Sequence, residues 1–438
     1  MYKSSLAMAV ALGVFAQHAA AAGFVEDSKL SLSSRTMYFD NNNREAHGAV
    51  RPDQRESGQG FKLDYISGFT QGTVGFGVDA QALWGIHLDG GRGYHKGGFF
   101  PDDGDGSADQ WARIGGNAKA RFSKTEAHFG SALAPNLPIL VSNDGRLLPQ
   151  TFEGATIQSK EIDNLTINAG QLTHAMGRAS SNHTGLSVNG GTEESNKFRY
   201  GGLDYKLTKD LTLQYYYSNL EDFYKQHFLG ATHLYQIDKD QSFKTDLRWF
   251  NSSNDGKNGQ AGYRFNNNGG YASTPGQVDN KTWSAIFTYT LGGNSFLLGH
   301  QRVNDDGGFV WLNQGSLVGE GAGGSSFYLF TDSMINQFAK AGENTTFGQY
   351  AYDFAGLGVP GLKASVSYLK GEDGKNANGN GTFSEWERDA RIDYVIQQGP
   401  LKGLGTSLRH GVYRGAGTSS LADQDQTRLI FNYTYNFL

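Results

Sequence analysis

"TVGFGVDAQALWGIHLD", residues 73–89, alternates along its whole length. Val74, Phe76, Val78, Ala80, Ala82, Trp84, Ile86 and Leu88 fall on one side, and Thr73, Gly75, Gly77, Asp79, Gln81 and His87 on the other. Successive side chains of a strand point to opposite faces, so this stretch reads as a strand with one apolar and one polar face. It exceeds the roughly 5–6 residues of an ordinary soluble strand and is long enough to cross a bilayer at a tilt.

The same pattern recurs. "LTLQYYYSNL" sets Leu211, Leu213, Tyr215 and Tyr217 apart from Thr212, Gln214, Tyr216 and Ser218. "TWSAIFTYTLGG" and the terminal "TRLIFNYTYNFL" divide in the same way. Counting such runs gives about 18 strands, the last four over 362–371, 388–397, 402–414 and 426–437. An even number suits a single-chain bacterial barrel.

The connections carry the argument further. One set is short: "GFTQG", "SKTE", "DN", "TKD", "DKD", "GGN", "GLGVPG" and "QQGPLKG". Between them fall long ones: Asp40–Ser57, Gly90–Ala108, Ala134–Thr151, Arg178–Lys197, Ser252–Asn280, Asn304–Thr345, Glu372–Glu387 and Gly415–Asp425. Only the link near Glu221–Lys225 breaks the alternation. Short periplasmic turns and long external loops define an all-β transmembrane antiparallel barrel, and a soluble sandwich has no reason to segregate loop lengths so.

Composition agrees. The 438 residues include 61 glycines, 22 tyrosines and 28 phenylalanines but only 38% hydrophobic residues. A wall that meets lipid on one face and water on the other has this profile, and no later stretch approaches the ~20 apolar residues of a spanning helix. The opening "MYKSSLAMAVALGVFAQHAAAA" has a lysine, a short apolar run and small residues at its end, which reads as a secretory signal peptide over 1–22. Residues 23–438 then form one barrel. Export without a single cysteine means that no disulfide supports it. A net charge of −5 gives no reason to expect nucleic acid.

If the apolar faces meet lipid, the opposite parity lines the lumen. That places Arg35, Arg113, Asn117, Lys119 and Arg121 inside, together with Lys62, Lys244, Arg248, Lys363, Arg391, Arg409 and Arg428. A closed barrel sets its last strands beside its first, so Arg391, Arg409, Arg428, Arg35 and Arg121 are expected on one wall. Such a stripe guides anions, because guanidinium forks match carboxylates. The competing reading is that these cations neutralise lumen acids such as Asp64, Asp79, Asp246, Asp353 and Asp393. Catalytic signals are weak: no nucleophile-elbow motif frames a serine, "GEGAGG" lies in a long loop, and no His/Cys spacing suits zinc. No cofactor is expected.

"FVEDSKLSLSSRTMYF", "LPILVSNDGRLLPQTFEG", "YDFAGLGVPGL" and "GPLKGLGTSLRHGVYRG" resemble the OprD family of outer-membrane porins over essentially the whole mature chain. The resemblance implies an 18-stranded barrel in the bacterial outer membrane. Its narrow channel would take up small carboxylate-bearing nutrients, with the third and seventh external loops (near 134–151 and 304–345) folded inward. It also implies a ladder of basic residues on one wall, and Arg35, Arg121, Arg391 and Arg409 match ladder positions. The family often has a further arginine two residues before the penultimate-strand one; here that position is Ser407. Asp332 and Ser333 are candidates for the seventh-loop side of the constriction, followed by Ser325 and Ser326.

The third loop is the odd segment of the chain. Of 8 prolines, Pro135, Pro138 and Pro149 fall there, beside the apolar Ile139-Leu140-Val141 and Leu147-Leu148. Proline stiffening and apolar packing suit a loop held inside a lumen, leaving Asn143, Asp144 and Arg146 at its narrowest part or bracing it. Expected partners are small carboxylates, outer-membrane lipid and lipopolysaccharide, with the oligomeric state open between monomer and weak homotrimer. The alternatives are an outer-membrane β-barrel hydrolase and a closed structural barrel or adhesin.

Overall fold

The computed structural model describes residues 23–44, 53–90, 94–95, 98–104, 106–312, 326–417 and 420–438. The signal-peptide segment 1–22 and Ser325 lie outside the described residues. Eighteen long strands form one antiparallel sheet. They are β1 (Lys29–Asn43), β2 (Asp53–Ile66), β3 (Val74–Asp89), β4 (Gln110–Phe122), β5 (Thr125–Leu133) and β6 (Thr151–Ser159). Next come β7 (Leu165–Met176), β8 (Phe198–Lys206), β9 (Leu211–Leu220), β10 (Tyr224–Gln236), β11 (Gln241–Asn254) and β12 (Asp279–Leu291). The last six are β13 (Asn294–Val303), β14 (Asn344–Asp353), β15 (Leu362–Lys375), β16 (Thr382–Val395), β17 (Gly405–Ala416) and β18 (Gln424–Asn436).

Each strand pairs with its sequence neighbour, and β1 pairs with β18 from Ser31↔Asn436 to Asn43↔Gln424. The sheet is therefore closed, which satisfies the backbone within the wall and leaves no edge. The parity of the strands has the expected sense. On β4, Ile114 is 67% exposed and Phe122 56%, whereas Trp111, Arg113 and Lys119 are buried. Trp84, Phe129, Leu229, Leu247, Phe287, Leu298 and Val366 belong to the same exposed, apolar outer face.

Two expected boundaries are corrected. The first long connection is shorter than Asp40–Ser57, because β1 runs to Asn43 and β2 begins at Asp53. Residues 372–387 are not a long loop: β15 runs to Lys375 and β16 begins at Thr382. A register shift between Gly371 and Gly374 lets the ladder continue, and positive φ at Asp373 marks the irregularity. At these strand ends the buried face mixes Phe383 with Glu385 and Glu387 and the other face mixes Ser384 with Trp386, so the clean apolar–polar alternation that reveals the rest is missing.

The inner space is filled unevenly. A large cluster packs Phe152, Leu172, Tyr216, Phe228 and Phe250 from the wall against Ile139, Val188, Phe265, Phe309 and Leu329 from the loops. A second joins Met37, Phe39 and Leu83 to Phe99, Phe100, Leu147 and Leu148. The packed loops thus occupy the side lined by β5–β11 and the inner faces of β1–β4. A third, small cluster packs Phe338 of the seventh loop on Ile286, Phe347 and Leu369, and the cavity that remains is lined by β13–β18.

Candidate functional site

The third loop, 134–150, is a compact structure. Asn136 and Val141, and Leu137 and Leu140, pair as a small hairpin. The Ser142 amide donates to the Pro135 carbonyl and the Gln150 amide to the Asn143 carbonyl, each at 2.8 Å. Leu147 and Leu148 are 1% and 2% exposed, and burial of each stabilises the loop by about 1.5–3 kcal/mol. Two glycines of β2 make room for them. A Cβ at Gly58 would lie 2.6 Å from the Phe100 ring and 2.9 Å from Leu147, and one at Gly60 would lie 3.0 Å from Leu148.

Polar contacts set the loop's orientation. Arg35 donates to both carboxylate oxygens of Asp144, at 2.7 and 3.1 Å, and to the Arg146 carbonyl at 2.6 Å. The Arg146 guanidinium lies 4.9 Å from the centre of the Phe39 ring. Asn143 joins three loops: its Nδ2 donates to Ser326 Oγ at 3.1 Å, while its Oδ1 accepts from the Gly145 amide and from Arg178 Nη1. Val141 and Ser326 also form an antiparallel bridge, so the third and seventh loops are tied directly.

The seventh loop, 304–343, is fastened to β16. Ile335 and Asn336 donate their amides to the two oxygens of Glu387, each at 2.8 Å, and Ser333 Oγ donates to Asp389 at 2.7 Å. The Asn336 side chain and the Tyr413 hydroxyl both donate to Glu385. Arg428 donates to the Met334 carbonyl. Farther along, Arg248 stacks under Tyr328 and Phe330, 3.7 and 4.1 Å from the ring centres, and donates to the Tyr328 carbonyl.

Beneath this loop lies a cavity of about 410 Å³. Asp332, Ser333 and Met334 border it on the loop side, with Gln349, Ser365, Ser367 and Asp389 from the wall. Arg391, Arg409 and Arg428 enter it from three consecutive strands. Register puts them in a row, with Arg391 opposite Arg409 and Arg409 opposite Arg428.

The inward cations divide into two groups. Lys62 meets Asp64 at 2.8 Å, Lys119 meets Asp79 at 2.7 Å, Arg248 meets Asp246 at 2.8 Å and Lys363 meets Asp353 at 3.0 Å. Arg391 meets Asp393 at 2.5 Å. The five acids named from the sequence are thus all paired. Arg409 and Arg428 differ: among the described residues neither has a carboxylate within 4.0 Å. Each is oriented instead by a neutral oxygen two residues back, Ser407 Oγ at 3.0 Å and Gln426 Oε1 at 2.8 Å.

The remaining sequence candidates are scattered. Lys119 is buried on Asp79 and the Ser67 carbonyl. Arg121 stands at the short-turn end of β4, 4.3 Å from the centre of the Phe69 ring, away from the row. Lys363 is near the short-turn end of β15. Asn143 and Ser326 act as braces between loops.

Sequence reasoning missed Glu385 and Glu387, which it assigned to a loop, and Arg178, which sits in a loop with no periodic pattern. It also passed over Arg113 as a brace. That buried guanidinium donates to the carbonyls of Pro149, Gly177 and Ser180, linking the third and fourth loops. Burial pushes the Asp332 carboxyl up to about 7, against the opposing pull of Arg178 and Arg428 and a long Phe327 amide contact.

A closed 18-stranded barrel with an apolar outer face, short turns at one end and loops packed into its lumen is a channel of the bacterial outer membrane. The family described as outer membrane porin, OprD family, matches residues 22–437, and the chain belongs to it. Porin D of Pseudomonas aeruginosa is 32% identical, over 99% of this chain and 96% of its own length. The crystal structure of Pseudomonas aeruginosa OccK8 (OprE) is 47% identical with a TM-score of 0.85, covering 95% of this chain and all of that one. That of Pseudomonas aeruginosa OpdK with vanillate is 33% identical with a TM-score of 0.80 and the same coverage.

Proposed function

We propose that this porin selects small solutes bearing a carboxylate, and that selection occurs in the cavity between the seventh loop and the row Arg391–Arg409–Arg428. The observation that carries this is the contrast among the lumen cations. Arg409 and Arg428 are aimed by neutral oxygens and carry no direct ion pair among the described residues, whereas most of the others face an acid. A carboxylate entering the cavity supplies the missing partner. The hydroxyls of Ser333, Ser365 and Ser367 and the Gln349 amide exchange hydrogen bonds with its other end. Several such contacts in series, each weak, permit both entry and release.

OpdK, which is solved with vanillate, supports a carboxylate as cargo here too. The third loop narrows the path from the opposite side, with Asp144 and Arg146 held by Arg35 and Phe39. Movement is passive, and residues 1–22 are removed on export. Liposomes carrying wild type or Arg409→Ala, tested with a panel of small carboxylates, decide the matter. Equal uptake by the two would dismiss the basic row as the selective element.

A further inference from the structure

The outward face of the barrel differs at its two ends. Near the short turns it carries exposed tyrosines, Tyr205, Tyr235, Tyr350, Tyr394 and Tyr435. Near the long loops it carries cations: Arg199 of β8, Lys225 of β10, Lys281 of β12, Arg302 of β13, Lys370 of β15 and Arg388 of β16. Most of these meet an acid. Arg199 is 4.0 Å from Glu221, Lys225 2.9 Å from Asp255, Arg302 3.8 Å from Asp305 and Lys370 2.5 Å from Glu372. Among the described residues Lys281 and Arg388 have no such partner.

Arg388 differs from Lys281 in its company. It is the register partner of Tyr368 on β15, which is 47% exposed, and of Val412 on β17, so it points away from the lumen. Trp386, two residues along the same face, stands opposite Lys370 on one side and Arg414 on the other. Diagonal neighbours on a sheet are about 7–8 Å apart, so both cations flank Arg388. Glu372 matches Lys370, while Asp423 and Asp425 match Arg414 and Arg44. The charge left over is that of Arg388, which is exposed and donates no hydrogen bond among the described residues. The rings of Tyr368 and Trp386 lie beside it, 6.0 Å apart. Toward the short turns follow Val366, Ile392 and Leu408, which are 54%, 51% and 46% exposed.

We propose that Arg388, flanked by Lys370 and Arg414, is a docking site for the phosphate of an outer-leaflet lipid, the lipid A part of lipopolysaccharide. The proposal is independent of the carboxylate reading above.

Three features select this occupant. A guanidinium fork matches phosphate oxygens in pairs, and Arg388 has its donors free of protein partners among the described residues. Tyrosine and tryptophan settle at the headgroup level of a membrane, which places Tyr368 and Trp386 where a phosphate lies. The apolar side chains of Val366, Ile392 and Leu408 then meet the acyl chains of the same molecule, whereas a dissolved anion has no use for them. The neighbours of Arg388 along β16 point the other way: Glu387 and Asp389 hold the seventh loop. A lipid bound at Arg388 is thus attached to the strand segment that fastens the constriction.

The test is native mass spectrometry of the delipidated barrel in detergent, titrated with lipid A carrying both phosphates or with the same lipid dephosphorylated. Wild type should retain the phosphorylated form, and Arg388→Gln should weaken that retention by about tenfold. Lys225→Gln, which removes a rim cation already held by Asp255, should change it by less than about twofold. An excess of inorganic phosphate should leave the lipid in place. Equal retention by wild type and Arg388→Gln overturns the proposal, and so does equal retention of the two lipids by wild type. Displacement by inorganic phosphate would make the site one for a dissolved anion and overturn the lipid assignment. The dephosphorylated arm needs no variant, so the proposal remains open to refutation even if Arg388→Gln fails to assemble.

Discussion

Arg409 of β17 and Arg428 of β18 are direct register partners on the inner face of the wall, with Arg391 of β16 opposite Arg409 on its other side. Like charges directly across a strand pair destabilise a sheet. Other inward cations have an acid two residues away on the same face, as Asp64 is to Lys62 and Asp393 to Arg391. At the corresponding positions beside Arg409 and Arg428 stand Ser407 and Gln426. The guanidiniums are therefore fixed in direction without a direct ion pair among the described residues.

Ser407→Asp tests that distinction without removing any arginine. The new carboxylate takes the place of an oxygen 3.0 Å from Arg409 Nε and, although it faces Asp393 across the strand pair, stands to Arg409 as Asp393 stands to Arg391. A charge-assisted bond to this acid, on the order of 1.5–3 kcal/mol, competes directly with cargo. Liposome uptake of a small carboxylate should fall roughly tenfold while the conductance for potassium chloride stays within a factor of about two. Unchanged uptake would mean that cargo does not meet Arg409.

Position along the lumen should also matter. Arg409→Gln removes one charge from the row and should reduce carboxylate uptake by about tenfold. Arg121→Gln lies at the short-turn end, against Phe69, and should reduce it by less than about threefold. Uptake rates of the two variants, measured side by side, check the order. A larger loss in Arg121→Gln would move the selective point to the periplasmic mouth.

The barrel was legible because period-two alternation survives wherever one face meets lipid. Trp84, Phe129 and Leu298 face outward as their parity requires, and Arg113 and Arg428 face inward. Legibility ended where that asymmetry ends. At the start of β16 the buried face mixes Phe383 with Glu385 and Glu387, so the two acids read as loop although they anchor the seventh loop from a strand. Parity also assigned Lys119 and Arg409 to the same lumen without telling them apart. Their difference lies in Asp79 on the neighbouring strand, a relation that only register reveals. Arg178 gave no signal, since a loop residue's role depends on which other loops arrive beside it.

Gly58→Val probes how the third loop is seated. A Cβ there meets Phe100 at 2.6 Å and Leu147 at 2.9 Å, closer than packed atoms tolerate. The wall cannot yield, because β2 is hydrogen-bonded on both sides to β1 and β3. The loop must shift instead, at a cost of about 1–3 kcal/mol, and the bidentate hold of Arg35 on Asp144 should loosen with it. Single-channel recordings should show a higher conductance with more frequent sublevels. A conductance identical to wild type would indicate that this loop does not limit the path.

Glu387→Gln makes the corresponding test on the seventh loop. Each carboxylate oxygen of Glu387 accepts one backbone amide, from Ile335 and from Asn336. Glutamine has nearly the same size but offers one oxygen and one NH₂ group, so one loop amide is left facing a donor. Leaving such a donor unsatisfied costs about 1–3 kcal/mol, and the loss of negative charge weakens the other bond as well. The segment Ser333–Asn336 should detach for part of the time, carrying Asp332 and the Met334 carbonyl away from Arg428. The expected record is a noisier channel with raised open conductance and a carboxylate uptake that discriminates less among cargoes of different size. Quiet channels with wild-type discrimination would show that Asn336 on Glu385 and Ser333 on Asp389 suffice to hold the loop.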